Sequence, residues 1–169
     1  ILHIGLPAAG EHLLWVGQYM VVLAFINLMG KTALAAQTIY FQLSLFVMSF
    51  GIAISLANEI IVGHYVGAKR FDDAYHRTFK SLRLGLFCTL ITVLLFWLFK
   101  HQILGFVTQD EQLKTILIPL FTLSVFLELG RTFNIVMVNA LRASGDARFP
   151  LCTGVVFMWG VSVPLAYLF

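Results

Sequence analysis

The chain is 169 residues long, 60% apolar and 11% charged, with a mean hydropathy of +0.91. An average soluble domain is about 45–50% apolar and about 25% charged, and a short domain leaves much of its surface exposed, so a soluble fold is excluded and lipid is the expected solvent. The net charge of +3 and pI near 9.0 do not point to nucleic acid, because the basic residues cluster between apolar runs, the signature of membrane topology.

A membrane-crossing helix needs about 20 mostly apolar residues, and five such runs follow in order. The first covers residues 4–29, with Pro7 near its start and Gly30 just past its end. The second covers 34–63 and is uncharged between Lys31 and Glu59. The third, 82–99, is the shortest and is bounded by Arg83 and Lys100. The fourth, 115–141, is interrupted by Glu128 and Arg131, and the fifth, 149–169, is opened by Pro150, a good first-turn residue. None has the strict alternation of a membrane β-strand, and an open sheet edge cannot face lipid. The fold class expected is therefore all-α, a polytopic membrane helical bundle. The chain starts at Ile1 without a signal-peptide pattern and stops inside an apolar run, and it is expected to be an interior piece of a longer protein.

Charge between the spans predicts orientation. The second-to-third linker holds Lys69, Arg70, Arg77, Lys80 and Arg83, and the fourth-to-fifth holds Arg142 and Arg148; against these seven, the opposite connections hold three, Lys31, Lys100 and Lys114. The richer set is expected to be cytoplasmic. Within the long linker, Phe71, Tyr75, Phe79 and Leu82 recur at helical spacing, which predicts an amphipathic interfacial helix; a solvated loop is the alternative.

Ionisable groups inside spans are costly and count as functional candidates. Glu11 shares a helix face with Trp15, Gln18 and Val22, beside His12 and Tyr19. A carboxylate held in low dielectric suits proton exchange; a position near the membrane surface is the structural alternative. Glu128 and Arg131, three residues apart, are spaced to pair on one helix, with Asn134 continuing that face and Asn139 further along. Pairing alone lowers the cost of burying both charges, so structural and functional readings stand side by side. Glu59 reads as an interfacial charge. Gly63 and Gly67 are spaced for close helix approach.

Enzymatic patterns are missing: no H-E-x-x-H, no G-x-S-x-G and no P-loop. His3, His12, His64, His76 and His101 are scattered, and Cys88 and Cys152 lie inside apolar runs without metal-ligand spacing. Neither an enzyme, a metal site nor a cofactor is expected.

Three stretches in order, G-K-T-A-L-A-A-Q (30–37), A-N-E-I-I-V-G-H-Y-V-G-A-K-R-F-D-D-A-Y (57–75) and N-A-L-R-A-S-G-D-A-R-F-P (139–150), together resemble the multidrug and toxic compound extrusion (MATE) family. The resemblance covers essentially the whole chain. It implies a 12-helix fold of two six-helix bundles. Glu11 following Pro7, E-L-G-R-T-F-N (128–134) and M-W-G-V-S-V-P (158–164) are more similar to the second half, so residues 1–169 are expected to be helices seven to eleven of the C-terminal lobe. In one respect the chain departs from the pattern. Some members carry a carboxylate about three turns before the L-R pair, where this chain has Arg131, and some place the first-helix acid nearer Trp15 than Glu11, so their ion site does not transfer directly.

The resemblance implies a multi-pass protein of the cell membrane performing secondary active efflux of amphipathic, often cationic drugs, coupled to Na⁺ or H⁺. The candidate substrate or ion-coupling residues are Glu11, Trp15, Gln18, Tyr19, Glu128, Arg131 and Asn134. The expected partners are the small-molecule substrate, the coupling ion, the bilayer and the remaining half of the transporter. A lipid-linked oligosaccharide flippase of the same superfamily is one alternative, with Arg131 the only arginine inside a span to favour it; a non-transporting membrane scaffold is another.

Overall fold

In lipid no water is at hand for the backbone, so each span must satisfy its own N–H and C=O groups, and helices result. The computed structural model describes residues 2–168; Ile1 and Phe169, the last residue of the expected fifth span, lie outside the described residues. In chain order the helices are α1 (Leu2–Leu28), α2 (Lys31–Gly67), α3 (Phe71–Leu98), α4 (Lys100–Val107), α5 (Glu111–Ala143) and α6 (Arg148–Gly154). A π-helical stretch (Val155–Ser162) then leads into α7 (Val163–Leu168), and no strand occurs among the described residues. Five segments are long and apolar enough to cross a membrane: Gly5–Leu28, Lys31–Gly67, Phe71–Leu98, Glu111–Ala143 and Arg148–Leu168.

The turns have local causes. Gly30 sits at φ 115 between α1 and α2, and Gly145 at φ 92 ends α5, both in a region that favours glycine. Asp146 then accepts hydrogen bonds from the amides of Arg148 (3.2 Å) and Phe149 (3.1 Å), capping the last span. Asp110 caps α5 in the same way, accepting from the Gln112 amide at 2.8 Å. This cap starts α5 at Glu111 rather than at Thr115. In the last span, Pro164 cannot bond the Gly160 carbonyl, and the helix just before it is widened into the π-helical stretch.

The linker over Lys69–Arg83 corrects an expectation. There is no separate interfacial helix, because α3 runs unbroken from Phe71 to Leu98. Only Ala68–Arg70 form the turn, with Lys69 at φ 58. No proline or glycine separates Phe71 from Arg83, and extending a formed helix needs no new nucleation. At 1.5 Å per residue α3 is about 42 Å long and α2 about 55 Å, both beyond the roughly 30 Å hydrocarbon layer. The aromatic stripe also divides: Phe71, Tyr75 and Phe79 are exposed, whereas Leu82 is buried.

Helices α2, α3 and α5 form the packed core, while α1 and the last span pack on one another and, more lightly, on α2 and α5. The core seam is built from residues three and four apart: Ser44, Val47, Gly51, Ser55 and Asn58 on α2, and Ser124, Glu128, Thr132 and Val136 on α5. Apart from Val47 and Val136 these are small or polar side chains, and the small ones let backbones approach closely in lipid. A Cβ added at Gly51 would lie 3.0 Å from Thr132 Oγ1, and one at Gly85 would lie 3.4 Å from Thr132 Cγ2. Among the described residues no helix makes the expected approach at Gly63 or Gly67, since nothing lies within 4 Å of a Cβ at either. At the opposite end α4, which the hydropathy pattern does not distinguish, buries Leu104 against Ala36, Leu117 and Phe121.

Candidate functional site

The polar residues inside the spans gather into two ion pairs in different surroundings. The first is internal to the core. Glu128, 1% exposed, sits on the buried stripe of α5, and Arg131 Nη1 lies 3.1 Å from its Oε1 one turn later. The spacing of three residues predicts this pair and the structure contains it. A third partner comes from α2: Ser44 Oγ donates to Glu128 Oε1 at 2.5 Å and accepts from Arg131 Nη1 at 2.6 Å. The guanidinium also contacts Met48 Sδ at 3.8 Å. Among the described residues Glu128 Oε2 has no hydrogen-bond partner. Beside the carboxyl is a cavity of about 10 Å³ lined by Tyr40, Ser44, Val93, Phe96, Ser124 and Glu128, at the lower limit of the space that holds one water.

Further along the same seam, Thr89 and Thr132 hydroxyls meet at 2.8 Å, and Asn139 Nδ2 donates to Ser55 Oγ at 2.9 Å. Asn134 is exposed, does not join the Glu128–Arg131 contact, and lines a second cavity of about 140 Å³ with Glu11, Thr153 and Met158.

The second pair ties α1 to the core. Arg142 Nη2 lies 2.9 Å from Glu11 Oε2, with both side chains partly buried, 28% and 17% exposed. Arg142 is in the last turn of α5, so a residue counted in sequence as a linker charge is the counter-ion of Glu11. Gln18 is also occupied, donating from Nε2 to Ser162 Oγ at 3.1 Å. Trp159 Nε1 donates to the Leu14 carbonyl at 3.2 Å, and its ring packs where a Cβ on Gly17 would be 3.2 Å away. On the neighbouring face, His12, Trp15 and Tyr19 stack in series at 6.1 and 5.9 Å, and Tyr19 stacks on Phe41 of α2 at 4.7 Å. Trp15 remains 38% exposed.

Of the sequence candidates, Glu128 and Arg131 meet each other, Trp15 and Tyr19 meet each other, and Glu11 shares a cavity wall with Asn134. Gln18 belongs instead to the contact between α1 and the last span. Three participants were missed: Ser44, Arg142 and Ser162. Only Ser44 left a signal, its place on the small-residue stripe of α2. The other two are brought in by folding over 131 and 144 residues of chain.

Long apolar helices enclosing paired charges define a polytopic all-α membrane protein with polar contacts inside its spans. The sequence profile described as MatE matches residues 7–168. The chain belongs to the MatE family. It is 40% identical to the protein called "Uncharacterized transporter YisQ" of Bacillus subtilis (strain 168), over all of this chain and 37% of that protein. It is 29% identical to "Probable multidrug resistance protein YoeA" of the same organism, over 99% of this chain and 36% of that protein. Identity is also 29% to "Probable multidrug resistance protein NorM" of Streptococcus pneumoniae (strain ATCC BAA-255 / R6), over 99% and 37%. No solved structure matches significantly. The chain spans a little over a third of the length of these relatives. It is a multi-pass membrane protein of the cell membrane.

Proposed function

We propose that residues 1–169 are part of a secondary active exporter that removes amphipathic, often cationic compounds in exchange for Na⁺ or H⁺. The observation that carries this reading is the family match across residues 7–168, with relatives named as multidrug resistance proteins. In this reading the chain supplies helices seven to eleven of a 12-helix transporter, and two bundles rock about a cavity near the membrane midplane. The ends bearing Lys69–Arg83 and Arg142–Arg148 face the cytoplasm, following the charge bias. Trp15, 38% exposed and backed by Tyr19, offers aromatic surface for a flat cation, and Glu11 with Asn134 contributes polar groups to a separate cavity. Gln18, held by Ser162, anchors the last span against α1.

The test is efflux of a planar cationic dye by drug-sensitive cells expressing the whole transporter. Expression should lower dye accumulation, and collapse of the ion gradients should abolish the difference. Glu11→Gln should reach the membrane at near-normal level yet lose gradient-driven efflux. No change in accumulation with the unaltered transporter would contradict the exporter reading, whereas full activity in Glu11→Gln would make Glu11 structural.

A further inference from the structure

The last span and α1 run side by side in the same direction, and their contacts do not keep the same count. Leu151 Cδ1 lies 3.4 Å from where a Cβ on Gly10 would be, and Trp159 packs against Gly17 while donating to the Leu14 carbonyl. Further along, Gln18 donates to Ser162, and the Phe25 and Tyr167 rings meet at 5.7 Å. From the first contact to the last, α1 advances fifteen residues, Gly10 to Phe25, and the last span sixteen, Leu151 to Tyr167. An α-helix turns about 100° per residue, so on an unbroken helix Trp159 would lie about 80° round from Leu151, and Tyr167 about 160° round, on the far side. The widened turn takes up the extra residue. Val163 N–H bonds the Met158 carbonyl, five residues back, at the end of the π-helical stretch Val155–Ser162, and such a turn holds one residue more than an α-turn.

Trp159 and Ser162 are the polar side chains that this register delivers to α1, and their partners Leu14 and Gln18 bracket Trp15. Gly17 has no side chain, so the Trp159 ring lies against the α1 backbone, 3.2 Å from where a Cβ would be. Two hydrogen bonds about one turn apart on α1, into Leu14 and out of Gln18, resist rotation of that helix about its own axis. Trp15 follows Leu14 by one residue, about 100° round the helix. There its ring is 38% exposed, between His12 at 6.1 Å and Tyr19 at 5.9 Å. Turning α1 one way would carry the Trp15 ring toward the last span, and turning it either way would disturb the stacking of Tyr19 on Phe41 of α2 at 4.7 Å.

We propose that Trp159, with Ser162, is a positioning residue for the aromatic surface of α1. The π-helical stretch sets the register in which the last span grips α1, and that grip fixes the angle at which Trp15 meets a flat cationic substrate. This role rests on the exporter reading for the class of substrate and deepens it by naming what sets the fit. Trp159 acts through α1: its indole N–H holds the Leu14 carbonyl and its ring fills the place left by Gly17.

The experiment uses the whole transporter, with a planar cationic dye as the probe. Fluorescence anisotropy gives the dye Kd of the purified protein without any transport, and proteoliposomes under an imposed ion gradient give KM and Vmax. Gly17→Val places a side chain where the Trp159 ring packs, and it should raise Kd and KM about fivefold, the worth of one aromatic contact, at nearly unchanged Vmax. Gly17→Val combined with Trp159→Phe should recover most of that loss, because the smaller ring leaves room for the added side chain. An unaltered Kd in folded Gly17→Val, a fall in Vmax at constant KM, or a double variant no better than Gly17→Val would each overturn the proposal. Should Gly17→Val fail to fold, Trp159→Phe alone decides, since it keeps a ring and removes the indole donor: a raised Kd supports the role and an unchanged Kd overturns it. Dye that the unaltered protein binds but does not move would defeat the exporter reading and leave the Kd series to decide the positioning role. No dye binding by the unaltered protein would overturn the proposal.

Discussion

The core pair Glu128–Arg131 and the outer pair Glu11–Arg142 have similar lengths, 3.1 and 2.9 Å, and similarly exposed arginines, 29% and 28%, but differ in the burial of the carboxylate and in the packing around it. Glu128 is 1% exposed, on the seam where α2, α3 and α5 interlock through Ser44, Gly51, Gly85 and Thr132. Glu11 and Arg142 join helices that touch lightly, beside a cavity of about 140 Å³. The same ion pair is therefore part of the packing in one place and a tie between two packed units in the other. Burial decides the difference, since a dry charge cannot lose its partner cheaply, while one near water can be resolvated.

The largest effect should come from breaking the core pair. Arg131→Gln alone should destabilise the transporter by about 3–5 kcal/mol, because the buried Glu128 carboxylate is left unpaired, and Glu128→Gln should cost less, because Arg131 is 29% exposed. The double substitution should cost less than either single one. Thermal unfolding in detergent, read by size-exclusion of the folded fraction, gives the comparison, and additive effects would show that the two side chains act independently.

Next in size is the seam itself. Gly51→Leu should cost about 1–3 kcal/mol by overpacking, since its Cβ already meets Thr132 Oγ1 at 3.0 Å. Gly63→Leu, with open space at the Cβ, should change stability far less in the same assay. Equal losses at the two sites would remove the claim that the seam, and not glycine content, holds the core.

The smallest effect should appear at the outer pair. A double-mutant cycle on Glu11→Gln and Arg142→Gln should give a coupling of about 1 kcal/mol or less, in the range of partly exposed pairs. A coupling as large as that of Glu128 and Arg131 would make the outer pair part of the core.

Much of this architecture is legible in sequence and some of it is not, for physical reasons. Hydropathy reports what lipid requires, so the all-α membrane class and the Glu128–Arg131 spacing can be read along one helix. Helix ends are set by caps and turns: Asp110 starts α5 early, and the absence of a breaker lets α3 absorb the predicted interfacial helix. Contacts between helices are the least legible. Ser44, Arg142 and Ser162 find their partners only through the folded packing, and Gly63-x3-Gly67 shows that small-residue spacing does not say which pair of helices will close.

The most direct test of the account is whether residues 1–169 act as one lobe of a larger exporter. Expressed alone in drug-sensitive cells, they should insert into the membrane and leave dye efflux at background. Co-expression with the remaining part of the transporter as a separate chain should restore gradient-dependent efflux. Robust gradient-dependent export by residues 1–169 alone would contradict the account.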